Sequence, residues 1–88
     1  NNQLTYKICI KNLKKGIKAG CYRKDINPEI MSKIFSEKID LVFNGLLFKA
    51  NDVSFPEVFN EMINHYILGI VNEDGREYYL NLQKKLTT

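Results

Sequence analysis

His65 is the single histidine of the chain, and Glu61 stands one helical turn before it. If the segment is helical, the two residues of an acid–base pair share a face. A catalytic dyad also needs a nucleophile beside it, and a metal site needs further ligands. The sequence places neither near His65, which therefore reads as a packing or interface residue. The two cysteines, Cys9 and Cys21, stand alone, with no CxxC pair and no His/Cys cluster, so neither a disulfide framework nor a zinc site is expected. Cys9 falls on an apolar face and reads as a small buried hydrophobe. Cys21 sits beside Tyr22 and Arg23, where positive charge favours a thiolate, but its place just past a helix end reads as part of a turn. No glycine-rich phosphate loop, paired catalytic carboxylates or nucleophile elbow occurs. The residue inventory points to binding rather than catalysis, with no cofactor and no metal.

Two other groupings carry recognition chemistry. Lys7, Lys11, Lys14, Lys15 and Lys18 share one helical face and would suit phosphate or an acidic partner. Tyr6 and Tyr22 bracket this run rather than interleave with it, so the stacking that single-stranded nucleic acid favours is missing. Asp40 and Asn44, one turn apart in an apolar stretch, supply the few polar groups that an otherwise greasy pocket needs.

Four helices must position these residues. Tyr6, Cys9, Ile10, Leu13 and Ile17 recur with helical spacing and predict a first helix over 2–19, stopped by Gly20. Asn27-Pro28-Glu29 opens a second, with Asn27 as cap and Pro28 in the first turn. Its apolar run "IDLVFNGLLF" extends the expectation to about Phe48, and a helix apolar nearly all round belongs at the centre. Ser54-Phe55-Pro56-Glu57 reads as a capping box that starts a third helix. Phe55, Phe59, Met62, Ile63, Tyr66, Ile67 and Ile70 line its broad face, and Phe35, Phe43, Phe48, Phe59 and Tyr66 serve either as core or as pocket lining. A break at Val71-Asn72 precedes a fourth helix with Glu73 and Asp74 in its first turn and Tyr78, Tyr79, Leu82 and Leu86 on its apolar face. Strand periodicity is short and scattered. The expected fold is all-α, an antiparallel bundle of about four helices in a single domain over 1–88.

The chain has 88 residues, 44% hydrophobic and 26% charged, which fits a folded globular domain with a modest core. Its net charge of +3 hides an asymmetry. Residues 1–24 hold seven basic and no acidic residues, whereas the remainder holds six basic and ten acidic. No apolar run approaches the ~18 residues of a membrane span, and the cysteine usage suits a reduced, cytoplasmic setting. An opening "NNQLTYK", without Met and already entering a helix, reads as truncated.

The stretch "LKKGIKAGCYRKDINPEI" resembles the C-terminal regulatory domain of TetR/AcrR-type transcriptional repressors, in which one helix ends in a "GI..G.FR.DIN.E" pattern before the next long helix. Here it runs from Gly16 to Glu29, with Tyr22 where Phe is common. "FPEVFNEMINHYILGIVNEDGREYYLNL" is similar to the family's last two helices. The resemblance implies a homodimer whose last two helices pair into a four-helix bundle, an unknown small-molecule effector held among the central helices, and contact with operator DNA only through an N-terminal helix-turn-helix that this chain lacks. Mapped residue by residue, it implies a pocket at Cys9, Leu13, Phe35, Ile39 and Phe43 and a dimer face at Val58, His65, Ile67, Gly69, Tyr78 and Leu82. The corner "GCYRKD" becomes a structural joint. A free-standing helical adaptor that uses the lysine face on nucleic acid or an acidic partner is the alternative, and a small enzyme built on His65 is a more remote one.

Overall fold

A computed structural model describes residues 2–44, 48 and 52–87. Four helices follow one another: α1 (Asn2–Ala19), α2 (Pro28–Phe43), α3 (Phe55–Ile70) and α4 (Glu73–Thr87). The fold is all-α, and no helix is long and apolar enough to cross a membrane.

The helix starts follow from side-chain caps. Asn27 Oδ1 accepts from the Ile30 N–H at 3.0 Å, Ser54 Oγ from the Glu57 N–H at 3.2 Å, and Asn72 Oδ1 from the Gly75 N–H at 2.8 Å. Each satisfies an amide that has no partner inside its own helix. The α1 stop is Gly20, which takes φ of 85°, a left-handed conformation that side chains with a Cβ resist. α2 ends earlier than the apolar run predicts. Phe43 is its last residue, and Asn44 caps it with its N–H on the Asp40 carbonyl at 3.0 Å. Asn44-Gly45 is a helix stop in the sequence that the surrounding hydrophobicity masked. Phe48 lies outside any helix; residues 45–47 of the expected extension lie outside the described residues.

The pairing is antiparallel, as contacts at two levels show. Lys14 Nζ reaches Glu29 Oε1 at 3.4 Å where α1 ends and α2 begins. Phe35 stacks on Tyr66 with ring centroids 3.7 Å apart, and Phe43 meets Phe55 at 5.0 Å at the opposite end of the α2–α3 pair. α1 packs on α2 most extensively. On α2, Ser32 and Ser36 are wholly buried; two small residues one turn apart let a neighbouring backbone come close. The core is small. Leu13, Ile70 and Val71 form its centre, with Tyr22, Ile26, Met31, Tyr66 and Ile67 packed around them.

α4 is held differently. It shares no broad packing face with α1 or α2 among the described residues. It leaves α3 at the Val71-Asn72 corner and meets it again through a polar cluster. There Tyr79 Oη donates to Asn64 Oδ1 at 2.9 Å, and Gln83 Nε2 donates to Asn64 Oδ1 at 3.2 Å and to Tyr79 Oη at 3.0 Å.

Candidate functional site

The joint at residues 20–26 is tied to the α3–α4 turn through backbone and side chains. Tyr22 and Val71 form an antiparallel backbone bridge, with the Arg23 N–H donating to the Ile70 carbonyl at 2.8 Å and the Asn72 N–H to the Cys21 carbonyl at 3.1 Å. Asn72 Nδ2 donates to the Gly20 carbonyl at 2.6 Å. Arg23 Nη1 donates to the Gly69 carbonyl at 2.8 Å, and its Nε and Nη2 grip both carboxylate oxygens of Asp25 at 3.0 and 2.9 Å. That fork keeps the Asp25 carboxyl below its ordinary pKa and raises the Arg23 guanidinium above its own. Carbonyls at the α3 C-terminus thus find donors from the α1–α2 connection. Two close approaches complete the joint. The Tyr22 ring lies over Gly16, where a Cβ would overlap it, and the Cys21 carbonyl lies against Gly75, where a Cβ would collide with backbone. The corner "GCYRKD" is therefore tied to the α3–α4 turn, and only small residues at 16 and 75 permit it.

Beside the joint lies a cleft of about 210 Å³ lined by Cys9, Asn12, Leu13, Tyr22, Phe35, Ile63, Tyr66, Ile67 and Ile70. No charged side chain lines it. Leu13 and Ile70 are 1% and 2% exposed, so its walls are core. Burial pushes the Tyr66 phenol well above the ordinary tyrosine range, with Cys9 and Tyr22 adding smaller electrostatic contributions, and it pushes the Cys9 thiol up as well. Both shifts mark surroundings that resist negative charge.

A second, more open groove of about 640 Å³ runs between α2 and α3, walled by Leu41, Val42, Phe48, Val53, Val58 and Met62 and edged by Lys38, Glu57, Glu61 and His65. Phe43, Phe55 and Phe59 form an aromatic cluster, their rings meeting edge-on or stacked between 5.0 and 6.2 Å.

The structure divides the expected pocket. Cys9, Leu13 and Phe35 converge on the smaller cleft. Ile39 is half-buried and lines neither cavity, and Phe43 sits in the aromatic cluster at the far end of α2. Asp40 and Asn44 line neither cavity. The expected dimer face also divides. Tyr78 and Leu82 are exposed, Gly69 is exposed with its carbonyl held by Arg23, and Val58 and His65 line the larger groove. Ile67 is half-buried and packs against the Leu13–Ile70–Val71 core. His65 and Glu61 stand together at the groove edge, with no group of three or more potential metal ligands among the described residues. Sequence reasoning missed Ser32 and Ser36, whose spacing of four was the available signal. It also missed that Tyr22 serves the cleft and the joint together, which no local pattern encodes. No protein-family model, curated protein or solved structure matches this chain.

Proposed function

We propose that this chain is the effector-sensing and dimerising domain of a TetR/AcrR-type bacterial repressor, a cytoplasmic homodimer that reaches operator DNA only through an N-terminal helix-turn-helix. The observation that carries this reading is the α4 stripe. Tyr78, Leu82 and Leu86, each four residues from the next, are 72%, 42% and 79% exposed. Apolar area left in water forgoes about 25 cal/mol per Å². The whole chain shows the same surplus: its accessible surface is 6832 Å², against about 5,300 Å² for a compact monomer of 10.3 kDa. Its radius of gyration is 14.2 Å, against about 12 Å for that chain length. A second copy laid along α3 and α4 covers the stripe and completes a four-helix arrangement.

Sensing couples to that interface through Tyr22, which lines the cleft and bridges to Val71 where α3 turns into α4. An effector that prefers one setting of this corner shifts the population of dimer arrangements by its differential affinity. Sedimentation equilibrium tests the assembly. A dimer should prevail well below ~100 µM, and Leu82→Glu should weaken it at least tenfold, about 1.4 kcal/mol. A strictly monomeric species at ~100 µM overturns the reading.

The lysine ridge favours a second reading, a helical adaptor for nucleic acid or an acidic partner. Lys7, Lys11, Lys15 and Lys18 are exposed with no carboxylate partner among the described residues, while Lys14 meets Glu29. Affinity for arbitrary duplex DNA that falls steeply with salt would select it over the repressor domain.

A further inference from the structure

Two cavities compete for the effector, and their linings differ in kind. The α2–α3 groove is open, edged by Lys38, Glu57, Glu61 and His65, and lined by partly exposed apolar side chains such as Phe48 and Leu41. The cleft beside the joint is walled by the most buried apolar residues of the chain. Its polar groups are few: the Asn12 amide at an exposed position, the Tyr22 and Tyr66 hydroxyls and the Cys9 thiol. None of these makes a side-chain hydrogen bond with another described residue. At about 210 Å³ the cleft is below the 300–1,000 Å³ of drug-sized sites. It is larger than the ~150 Å³ apolar cavity that suffices for benzene in an engineered protein. Phe35, Tyr66 and Tyr22 are among its lining residues, and an aromatic ligand beside aromatic rings gains beyond simple burial.

We infer that the cleft formed by Cys9, Leu13, Tyr22, Phe35, Tyr66 and Ile70 binds a small neutral aromatic molecule of one or two rings with at most one hydrogen-bonding edge. The inference rests on the sensing role proposed above and names its ligand class. Three features fix that class. Volume limits the ligand to about the size of an indole. The absence of any cation in the lining leaves an anion desolvated without a partner, and the absence of any carboxylate does the same for an amine. The few polar groups among an apolar lining suit a ligand with little polar surface.

Indole is the direct probe, with indole-3-acetate as the same ring carrying a charge. Titration of the ¹⁵N-labelled chain should give saturable shifts at the Leu13, Ile67 and Ile70 amides with indole, and at least tenfold weaker binding of indole-3-acetate. Indole should also raise the melting temperature. Cys9→Met and Ile63→Phe each add volume to the lining; whichever keeps the wild-type circular dichroism spectrum should lose indole affinity at least tenfold. Absent binding of indole, equal binding of the charged analogue, or shifts confined to Val42 and Met62 of the other groove would each overturn the inference. Sedimentation keeps the two proposals apart. A monomer that binds indole refutes the repressor reading alone, and a dimer that ignores indole refutes the ligand class alone.

Discussion

Single atoms decide the behaviour of the joint. At Gly75 an added methyl meets the Cys21 carbonyl, whereas at Gly69 nothing lies within 4 Å. Both are helical positions, so glycine costs each helix roughly 0.5–1 kcal/mol relative to alanine. Gly69→Ala should therefore stabilise the folded chain by about that amount, and Gly75→Ala should destabilise it by about 1–3 kcal/mol because backbone must move. Urea denaturation of the two variants checks the opposite signs. If Gly69 lies in the dimer face, its alanine variant should raise fold stability while loosening the dimer, a split that sedimentation reads directly. Tyr66 gives a pH signature. Its folded pKa lies above the unfolded value of about 10, so the neutral phenol contributes stability that is fully present below pH ~10 and is lost as pH rises beyond it. Tyr66→Phe should be close to wild type at pH 7, since the hydroxyl has no hydrogen-bond partner among the described residues, and should flatten the loss of stability above pH ~10. A wild-type slope retained in the variant would assign the alkaline limb to Cys9, whose thiol burial also raises, or to other groups. The sequence marked Tyr66 as apolar lining and Cys9 as buried, but desolvation depends on neighbours from three helices.

Helices in this chain begin where their caps predict and differ in how they are retained. α1 packs broadly on α2, which buries Ser32 and Ser36, α3 docks on α2 by aromatic stacking, and α4 is joined to the rest at the α3–α4 corner and through the Asn64–Tyr79–Gln83 cluster. Ser36 Oγ donates to the Lys33 carbonyl at 3.0 Å, while the fully buried Ser32 Oγ has no partner among the described residues. An orphaned buried hydroxyl costs about 1–3 kcal/mol, so Ser32→Ala, which keeps the helix surface narrow, should raise the denaturation midpoint by the equivalent of about 1 kcal/mol. A lowered midpoint would mean that the hydroxyl has a partner. Asn72 serves α4 from both sides, capping Gly75 and holding the Gly20 carbonyl. Asn72→Ala should cost about 2 kcal/mol, more than the ~1 kcal/mol of a lone cap such as Ser54→Ala. Hydrogen exchange should show the loss concentrated in α4 amides. Cap positions were legible because a cap is a local event within four residues. The end of α2 was misread because hydrophobicity carried the pattern past Asn44, where the local stop signal won.

At the scale of the molecule, the core is thin and the α4 stripe of Tyr78, Leu82 and Leu86 stands exposed. If the chain dimerises, its melting temperature should rise with concentration, and Leu82→Glu should abolish that dependence without unfolding the monomer. Ile67→Glu should instead unfold it, because Ile67 supports the Leu13–Ile70–Val71 core; equal effects of the two charges would show that both face the same surface. Helix count, helix starts, the glycine stop and the lysine face were determined by the sequence alone, since each depends on periodicity or on a few neighbouring residues. Tertiary structure decided which apolar residues meet. It set Ile67 against the core, Phe43 in a separate aromatic cluster and Tyr22 at both the cleft and the α3–α4 corner. A helix has several apolar positions and only its neighbours choose among them, and a bridge between residues 22 and 71 leaves no trace in either segment read by itself.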